Sequence, residues 1–249
     1  MTNTQIKDRL TAKANSLSTA PTDITCTDGG YVALSSNVID VIKSNLKNQP
    51  ISFQLFDVVK APTGGTTVFT VPGIMGEEIE KELTGIILDY TTPRAYWEST
   101  DPVDGTPPDC FSADSITSYE GKACAACPFN TYGSKNGESG AKACKESVIL
   151  YLLRKDNIMP LVVRVPVSSK LIFQKYATRL AGKMVPLHSV VTKISLEKKV
   201  SRSGQTYASY VFEVVEELSP EHSELSKEYS HQFMTALETT EAKPAKDVS

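Results

Sequence analysis

Four of the five cysteines fall within 35 positions: Cys110, thirteen residues, Cys124-Ala125-Ala126-Cys127, sixteen residues, Cys144. A CxxC pair sits on a tight turn and aims both sulfurs at one point, about 2.3 Å from a bound metal. Two flanking single cysteines complete a tetrahedron. The chain between them is polar and turn-rich, as in Asp104-Gly105-Thr106-Pro107-Pro108 and in the run from Gly133 to Gly140. Such a segment buries little apolar surface and needs a cross-link to hold one shape. The expected cross-link is one structural zinc held by Cys110, Cys124, Cys127 and Cys144.

Three other chemistries use similar residues. Disulfide scaffolds are cysteine-dense and belong to oxidising compartments, whereas this chain has five cysteines in 249 residues and no apolar leader at Met1–Asp8. A redox CxxC opens a helix in a thioredoxin-like unit, but Cys127 is followed by Pro128-Phe129-Asn130 and a glycine-rich loop. A zinc deaminase places His-x-Glu before Pro-Cys-x-x-Cys. Here His222-Ser223-Glu224 comes after the CxxC, and Ala123 stands where the proline belongs. Four thiolates also close the coordination shell that a catalytic zinc keeps open. Cys26 lies far from the others and reads as a free thiol.

The remaining candidate chemistry is electrostatic. The formal net charge of −3 hides a division along the chain. Residues 1–149 carry 12 basic and 18 acidic side chains, residues 150–212 carry 11 and 2, and residues 213–249 carry 3 and 9. A strongly basic segment between acidic flanks predicts a polyanion-binding surface followed by an acidic tail. A solvated face balanced by neighbouring acids gives the same counts. Only three histidines occur (His188, His222, His231), and no Ser/His/Asp set or paired-carboxylate motif stands out, so no catalytic residues are assigned. The longest uninterrupted apolar run, Val148–Leu153, is far below the roughly 20 residues that span a bilayer, so an intracellular chain with reduced thiols and no membrane contact is expected.

These residues must be carried by elements that the periodicity outlines. Residues 1–30 are polar and lack a period. Ser36–Leu46 reads as a helix, with Val38, Ile42 and Leu46 on one face. Ile51–Lys60 and Thr66–Val71, separated by Pro62-Thr63-Gly64-Gly65, read as a hairpin. Leu83–Tyr90 and Arg94–Ser99 read as strands, followed by the cysteine segment. Ser147–Arg154 and Leu161–Val167 are two further strands. Ser168 caps a helix to about Ala181, with Ile172, Tyr176 and Leu180 inward and Gly182 as the stop. Ser189–Val200 and Gln205–Glu217 form a long hairpin. A last helix begins at Ser219-Pro220 and repeats Leu225, Tyr229, Phe233 and Leu237 every four residues, fit to dock on the barrel or on a second copy in a homo-oligomer.

The expected fold is therefore mainly β: an OB-fold-like barrel with an inserted four-cysteine zinc loop, an N-terminal helix and hairpin, and a C-terminal helix. An α+β sheet domain with a zinc knuckle fits the same pattern nearly as well. The expected organisation is 1–79 as an arm, helix and hairpin packed on the core, and 80–218 as the barrel with its zinc insertion at 100–146. Residues 219–249 complete it as a helix and acidic mobile tail.

Pro62-Thr63-Gly64-Gly65, Val71-Pro72-Gly73, Arg94-Ala95-Tyr96-Trp97, Cys110, Cys124-Ala125-Ala126-Cys127-Pro128-Phe129-Asn130 with Gly133-Ser134, and Lys142-Ala143-Cys144-Lys145 together carry a resemblance. This set, across roughly residues 55–215, resembles small zinc-containing proteins of bacteriophages and conjugative elements. More distantly, the architecture is similar to the single-strand DNA-binding proteins of T-even-type phages, although this chain offers four cysteines and no histidine ligand. The resemblance implies a non-catalytic single-stranded DNA-binding protein of a phage or mobile element. It would act in replication or recombination in the bacterial cytoplasm and meet replication or recombination proteins through its acidic tail. The alternative is a zinc-ribbon module that contacts a host protein such as RNA polymerase.

Single-strand binding needs cations along a groove and aromatic faces for the bases. The candidates are Arg94, Arg154, Arg164, Lys193, Lys198, Lys199 and Arg202, interleaved with Tyr96, Trp97, Tyr132, Tyr151 and Tyr207. Trp97 and Tyr210 suit a core equally well. The zinc loop is expected to wall one end of the groove with Phe129, Tyr132 and Lys135.

Overall fold

The computed structural model describes residues 31, 42, 44–47, 49, 51, 53–56, 58–60, 62–99, 106–135, 140–155, 157–201 and 204–241, all within the unit Tyr31–Ser249. The described strands are β1 (Val58–Val59), β2 (Phe69–Gly73), β3 (Gly76–Glu80), β4 (Glu82–Thr91) and β5 (Arg94–Tyr96). They continue as β6 (Cys110–Ser112), β7 (Lys145–Leu153), β8 (Leu161–Pro166), β9 (Val190–Val200) and β10 (Thr206–Glu217). The two long helices are α1 (Val167–Ala181) and α2 (Pro220–Glu241). The molecule is mainly β, a curled half-barrel sheet with a few helices, as the periodicity implied. Among the described residues no helix is long and apolar enough to cross a membrane.

The main sheet runs β1-β8-β7-β4-β9-β10, with β5 bridging β7 and β6. Its curl originates in β4. Glu82–Ile86 pairs antiparallel with β9, whereas Ile86–Thr91 pairs antiparallel with β7, with a register shift between Ile87 and Asp89. One strand thus serves two neighbours by bending between them. Gly85 permits the bend, because a Cβ there would lie 2.3 Å from the carbonyl oxygen of Leu153.

β7 explains why Val148–Leu153 is apolar without alternation: both of its faces are buried. Val148, Leu150 and Leu152 join Val163, Val165, Ile194 and Tyr210 in a core covered by Phe173, Tyr176 and Leu180 of α1. Ile149, Tyr151 and Leu153 join Ile86, Leu88, Val162 and Val191 in a second core, covered by Phe233 and Leu237 of α2. Each such side chain contributes about 1.5–3 kcal/mol relative to exposure. α1 buries Ser169, Phe173, Tyr176 and Leu180, so Phe173 joins the inward set expected from the sequence. Its Ser169 hydroxyl accepts the backbone N–H of Tyr210 at 3.1 Å, and the buried Tyr176 hydroxyl shares a 2.7 Å hydrogen bond with Thr192. The helix ends where expected, but the left-handed residue that turns the chain is Met184, not Gly182, which remains in the right-handed helical region.

Two expected elements differ. The hairpin expected between 51–60 and 66–71 does not form among the described residues. Val58–Val59 instead pairs parallel with Val162–Val163, and β2 pairs with β3 across Ile74-Met75. The cause is burial: Val59, Phe69 and Val71 all enter the first core, and a non-local partner satisfies β1 there. The strand expected over Arg94–Ser99 stops at Tyr96 and belongs to the cysteine insertion, pairing with β6 and with Lys145–Glu146. The five longest strands, β4, β7, β8, β9 and β10, are contiguous in the main sheet with β1 at its edge, and α1 lies between β8 and β9 in the chain. Of the helix expected over Ser36–Leu46, Ile42 and 44–46 are helical and the rest lies outside the described residues. Cys26 lies outside them as well.

Candidate functional site

The cysteine insertion is built by backbone hydrogen bonds rather than by a core. Cys110 stands opposite Tyr96 in the β5–β6 pair. The chain turns through Ser115, whose positive φ of 63° is held by the hydrogen bonds around Asp114. The Asp114 carboxylate accepts the Ile116 N–H at 2.8 Å, the Thr117 N–H at 3.0 Å and the Ser112 hydroxyl at 2.9 Å. Those backbone donors hold its pKa below the usual carboxylate range. The Cys124 N–H then donates to the Ile116 carbonyl at 2.8 Å and sets the CxxC beside β6. Cys127 closes its 3-10 turn by donating to the Cys124 carbonyl at 3.3 Å. Cys144 returns through its N–H to the Phe129 carbonyl at 2.9 Å.

The consequence is convergence. All four of these cysteines are free thiols, and all line one cavity of about 340 Å³ together with Arg94, Tyr96, Phe129 and Asn130. Burial and then the neighbouring Cys127 and Cys124 push the Cys110 thiol up. Burial pushes the Cys144 thiol up as well, opposed by the Arg94 charge. Among the described residues no three His, Cys, Asp or Glu side chains are arranged to hold a metal ion as they stand. The donor chemistry nevertheless fits a thiophilic divalent cation, because four thiols gathered at one cavity are the donor set such an ion takes.

The insertion is tied to the barrel by a polar chain that the sequence did not reveal. Asn130 donates to the Cys124 carbonyl at 2.8 Å, and its Oδ1 accepts Arg94 at 2.5 Å and Lys142 at 3.0 Å. Arg94 also reaches the Glu146 carboxylate at 2.7 Å, and Lys170 in the first turns of α1 binds the other oxygen of Glu146. Two residues before Lys170, Ser168 shares an open cavity with Ser201, Gln205 and Tyr207 of the β9–β10 hairpin. The start of α1 thus stands between the cysteine knuckle and the basic hairpin. Asn130 and Glu146 had no signal in the sequence beyond their polarity.

The candidate binding residues divide accordingly. Arg94 is committed to Asn130 and Glu146, with only 12 % of its side chain exposed, and is better described as a strut than as a phosphate ligand. Tyr151 is 2 % exposed beneath α2, edge-on to Phe233, and presents no face to a base while α2 is in place. Arg154 makes a two-pronged pair with Glu80 at 2.8 and 2.9 Å, and Lys193 pairs across the strands with Glu213 at 2.7 Å. These four depart from the expectation of open contacts because acids from other strands arrive beside the cations, or because a helix covers the ring.

The other candidates are more open. Among the described residues Lys198 is exposed with no ion-pair partner, and Lys199 pairs with Glu197 on its own strand. Tyr207 stands directly across from Lys199 and is half-buried. Arg164 is exposed on β8, although desolvation by the surrounding protein lowers its pKa. Trp97 is half-buried and donates its indole N–H to the Thr106 carbonyl at 3.0 Å. Tyr96 stacks on Phe129 with centroids 4.1 Å apart, and Tyr132 stands in solvent. Arg202 lies outside the described residues.

No family model matches the chain, and no curated protein or solved structure is significantly similar to it.

Proposed function

We propose that this chain is a non-catalytic single-stranded DNA-binding protein built on an OB-type barrel. The observation that carries the reading is the placement of two loops around one helix end. In five antiparallel-paired strands with a helix between the third and fourth, the insertion after the first strand and the hairpin between the last two flank the start of that helix. OB folds grip single strands and oligosaccharides between the corresponding loops. The step from fold to function is an analogy of architecture. It is supported by chemistry at the hairpin, where Lys198 and Lys199 adjoin the half-buried Tyr207. The 11 basic against 2 acidic side chains of residues 150–212 support it further.

In this reading Cys110, Cys124, Cys127 and Cys144 hold one structural zinc, which would supply a cross-link and no catalytic step. The residues of the chain do the binding: lysines neutralise phosphates, and tyrosines offer ring faces. A role in replication or recombination of a phage or mobile element is the context that the resemblance implies.

The test is a fluorescence titration of labelled oligothymidine, its duplex and an RNA equivalent across a salt series. Preference for the single strand is expected, with affinity falling as salt rises. Changing Lys198, Lys199 and Arg202 to Ala should lower the salt slope by about 2, since each single-strand phosphate contact contributes roughly 0.7. Equal affinity for duplex and single strand, or an unaltered slope in the triple variant, would overturn the assignment.

A further inference from the structure

The knuckle presents its aromatic residues in an unusual way. Tyr132 is 82 % exposed, yet its ring is not loose. The Lys142 ammonium lies 4.8 Å from the ring centroid, and the same ammonium donates to Asn130 Oδ1 at 3.0 Å. Asn130 is in turn fixed to the Cys124 carbonyl and to Arg94. The turn beneath the ring is also held. Gly133 and Lys135 donate their N–H groups to the Ala141 carbonyl at 3.1 and 3.2 Å, and the Ser134 hydroxyl accepts the Ala143 N–H at 2.9 Å. Gly133 takes a positive φ of 84°, which lets the chain reverse immediately after the tyrosine. Three residues earlier, Phe129 is 41 % exposed and rests on Tyr96 in a near-parallel stack, with 13° between the planes.

We infer that the outer surface of the knuckle is a nucleobase-stacking subsite centred on Tyr132, and that the molecule divides its contacts: bases on the knuckle, phosphates on the β9–β10 hairpin. The inference rests on the single-strand reading above. A ring braced on one face by a tethered cation and open on the other is preorganised to receive a flat π-system, and little side-chain entropy remains to be lost on stacking. The base type matters little, because every base has a π-face. Among the described residues Lys142 has no acidic partner, so its charge adds to the attraction of the site for a polyanion. A structural metal would then serve binding indirectly, by holding Cys124 and its attached Asn130, which tethers Lys142.

The experiment uses the full chain prepared with zinc under reducing conditions, and two labelled probes. One is an oligothymidine; the other is an abasic oligonucleotide of the same length, which keeps the phosphates and lacks the bases. Tyr132→Ala should weaken oligothymidine binding about 5- to 100-fold and leave its salt slope unchanged. The same variant should leave abasic binding unchanged, and Tyr132→Phe should retain oligothymidine affinity. Lys198→Ala with Lys199→Ala should weaken both probes and lower both slopes. A wild-type chain that binds oligothymidine while Tyr132→Ala binds it equally well overturns the subsite alone. A wild-type chain that binds neither probe overturns the single-strand reading, and the subsite with it. Loss of binding to both probes in Tyr132→Ala would show a general distortion of the knuckle and also reject the division proposed.

Discussion

Glu146 is the residue on which the most structure depends. Its carboxylate receives Arg94 from β5 and Lys170 from α1 while only 13 % of its own side chain is exposed. Removing the acid leaves two part-buried cations facing each other without compensation. Glu146→Ala is therefore expected to cost about 3 kcal/mol of unfolding free energy, in the range seen when one partner of a buried ion pair is deleted. Urea denaturation should show the loss as a lower midpoint at unchanged slope. A change under about 0.5 kcal/mol, typical of an exposed pair, would mean that solvent reaches the cluster. The residue scale was also where the sequence was least informative about function. Cysteine spacing marked the four thiols that the structure gathers around one cavity. Arg94 and Tyr151 were placed on strands, but a strand assignment says nothing of what covers a face. The cover of Tyr151 comes from Phe233, 82 residues away in sequence, and the acids that occupy Arg94 and Arg154 come from other strands.

Among the elements, β4 and the knuckle carry separable predictions. Gly85→Val would drive a side chain into the Leu153 carbonyl at the point where β4 passes from β9 to β7. Overpacking of this kind costs about 1–3 kcal/mol, and a thermal midpoint equal to that of the wild type would mean that the bend relaxes freely. The knuckle should respond to metal. One zinc per chain is expected in reduced protein, and Cys127→Ser should lose it. Hydrogen exchange should then accelerate over residues 106–144 before it does in β7 or β9, because a bound metal would be coupled to local folding there. Reduced protein without zinc would remove the structural-metal reading. Acid provides a second probe of the same turn. The Asp114 pKa is depressed in the folded state by backbone donors, so its contribution is present above the unfolded value of about 3.9 and disappears as pH falls through the folded value. In the metal-free protein, the protection of the Ile116 and Thr117 amides relative to their intrinsic exchange rates should fall on that descent, and Asp114→Asn should abolish the added pH dependence. α1, β9 and α2 were legible because their periods are clean, and β7 and β8 because they are short apolar runs bounded by turn residues. β1 was not, because a two-residue strand pairing in parallel with β8 leaves no local turn signal.

For the whole molecule, the decisive feature is the second core beneath α2. The sequence marks Leu225, Tyr229, Phe233 and Leu237 as one face, and the structure buries Phe233 and Leu237 against β4 and β7. Tyr229 donates its hydroxyl to the Ile158 carbonyl, and burial pushes its pKa up to about 12. Ser230 donates to the Leu88 carbonyl at 2.9 Å, so the helix is also fixed to β4 by a buried polar contact. The acidic residues Glu221, Glu224 and Glu228 therefore ride on a docked helix. A free acidic tail would compete with a polyanion and could be deleted harmlessly. Deleting residues 219–249 here would instead uncover Ile86, Leu88, Ile149 and Tyr151 and lower stability. Two variants separate structure from charge. Phe233→Ala should cost about 3–5 kcal/mol, as for other buried aromatic truncations, with a matching fall in the denaturation midpoint. Changing Glu221, Glu224 and Glu228 to Gln keeps the apolar face and removes three negative charges. If these carboxylates oppose a bound polyanion, the triple variant should bind oligothymidine more tightly at low salt, with the advantage vanishing near 1 M salt, where screening extends only about 3 Å. Unchanged affinity at low salt would place the helix acids too far from the bound strand to matter, leaving α2 a purely structural cover.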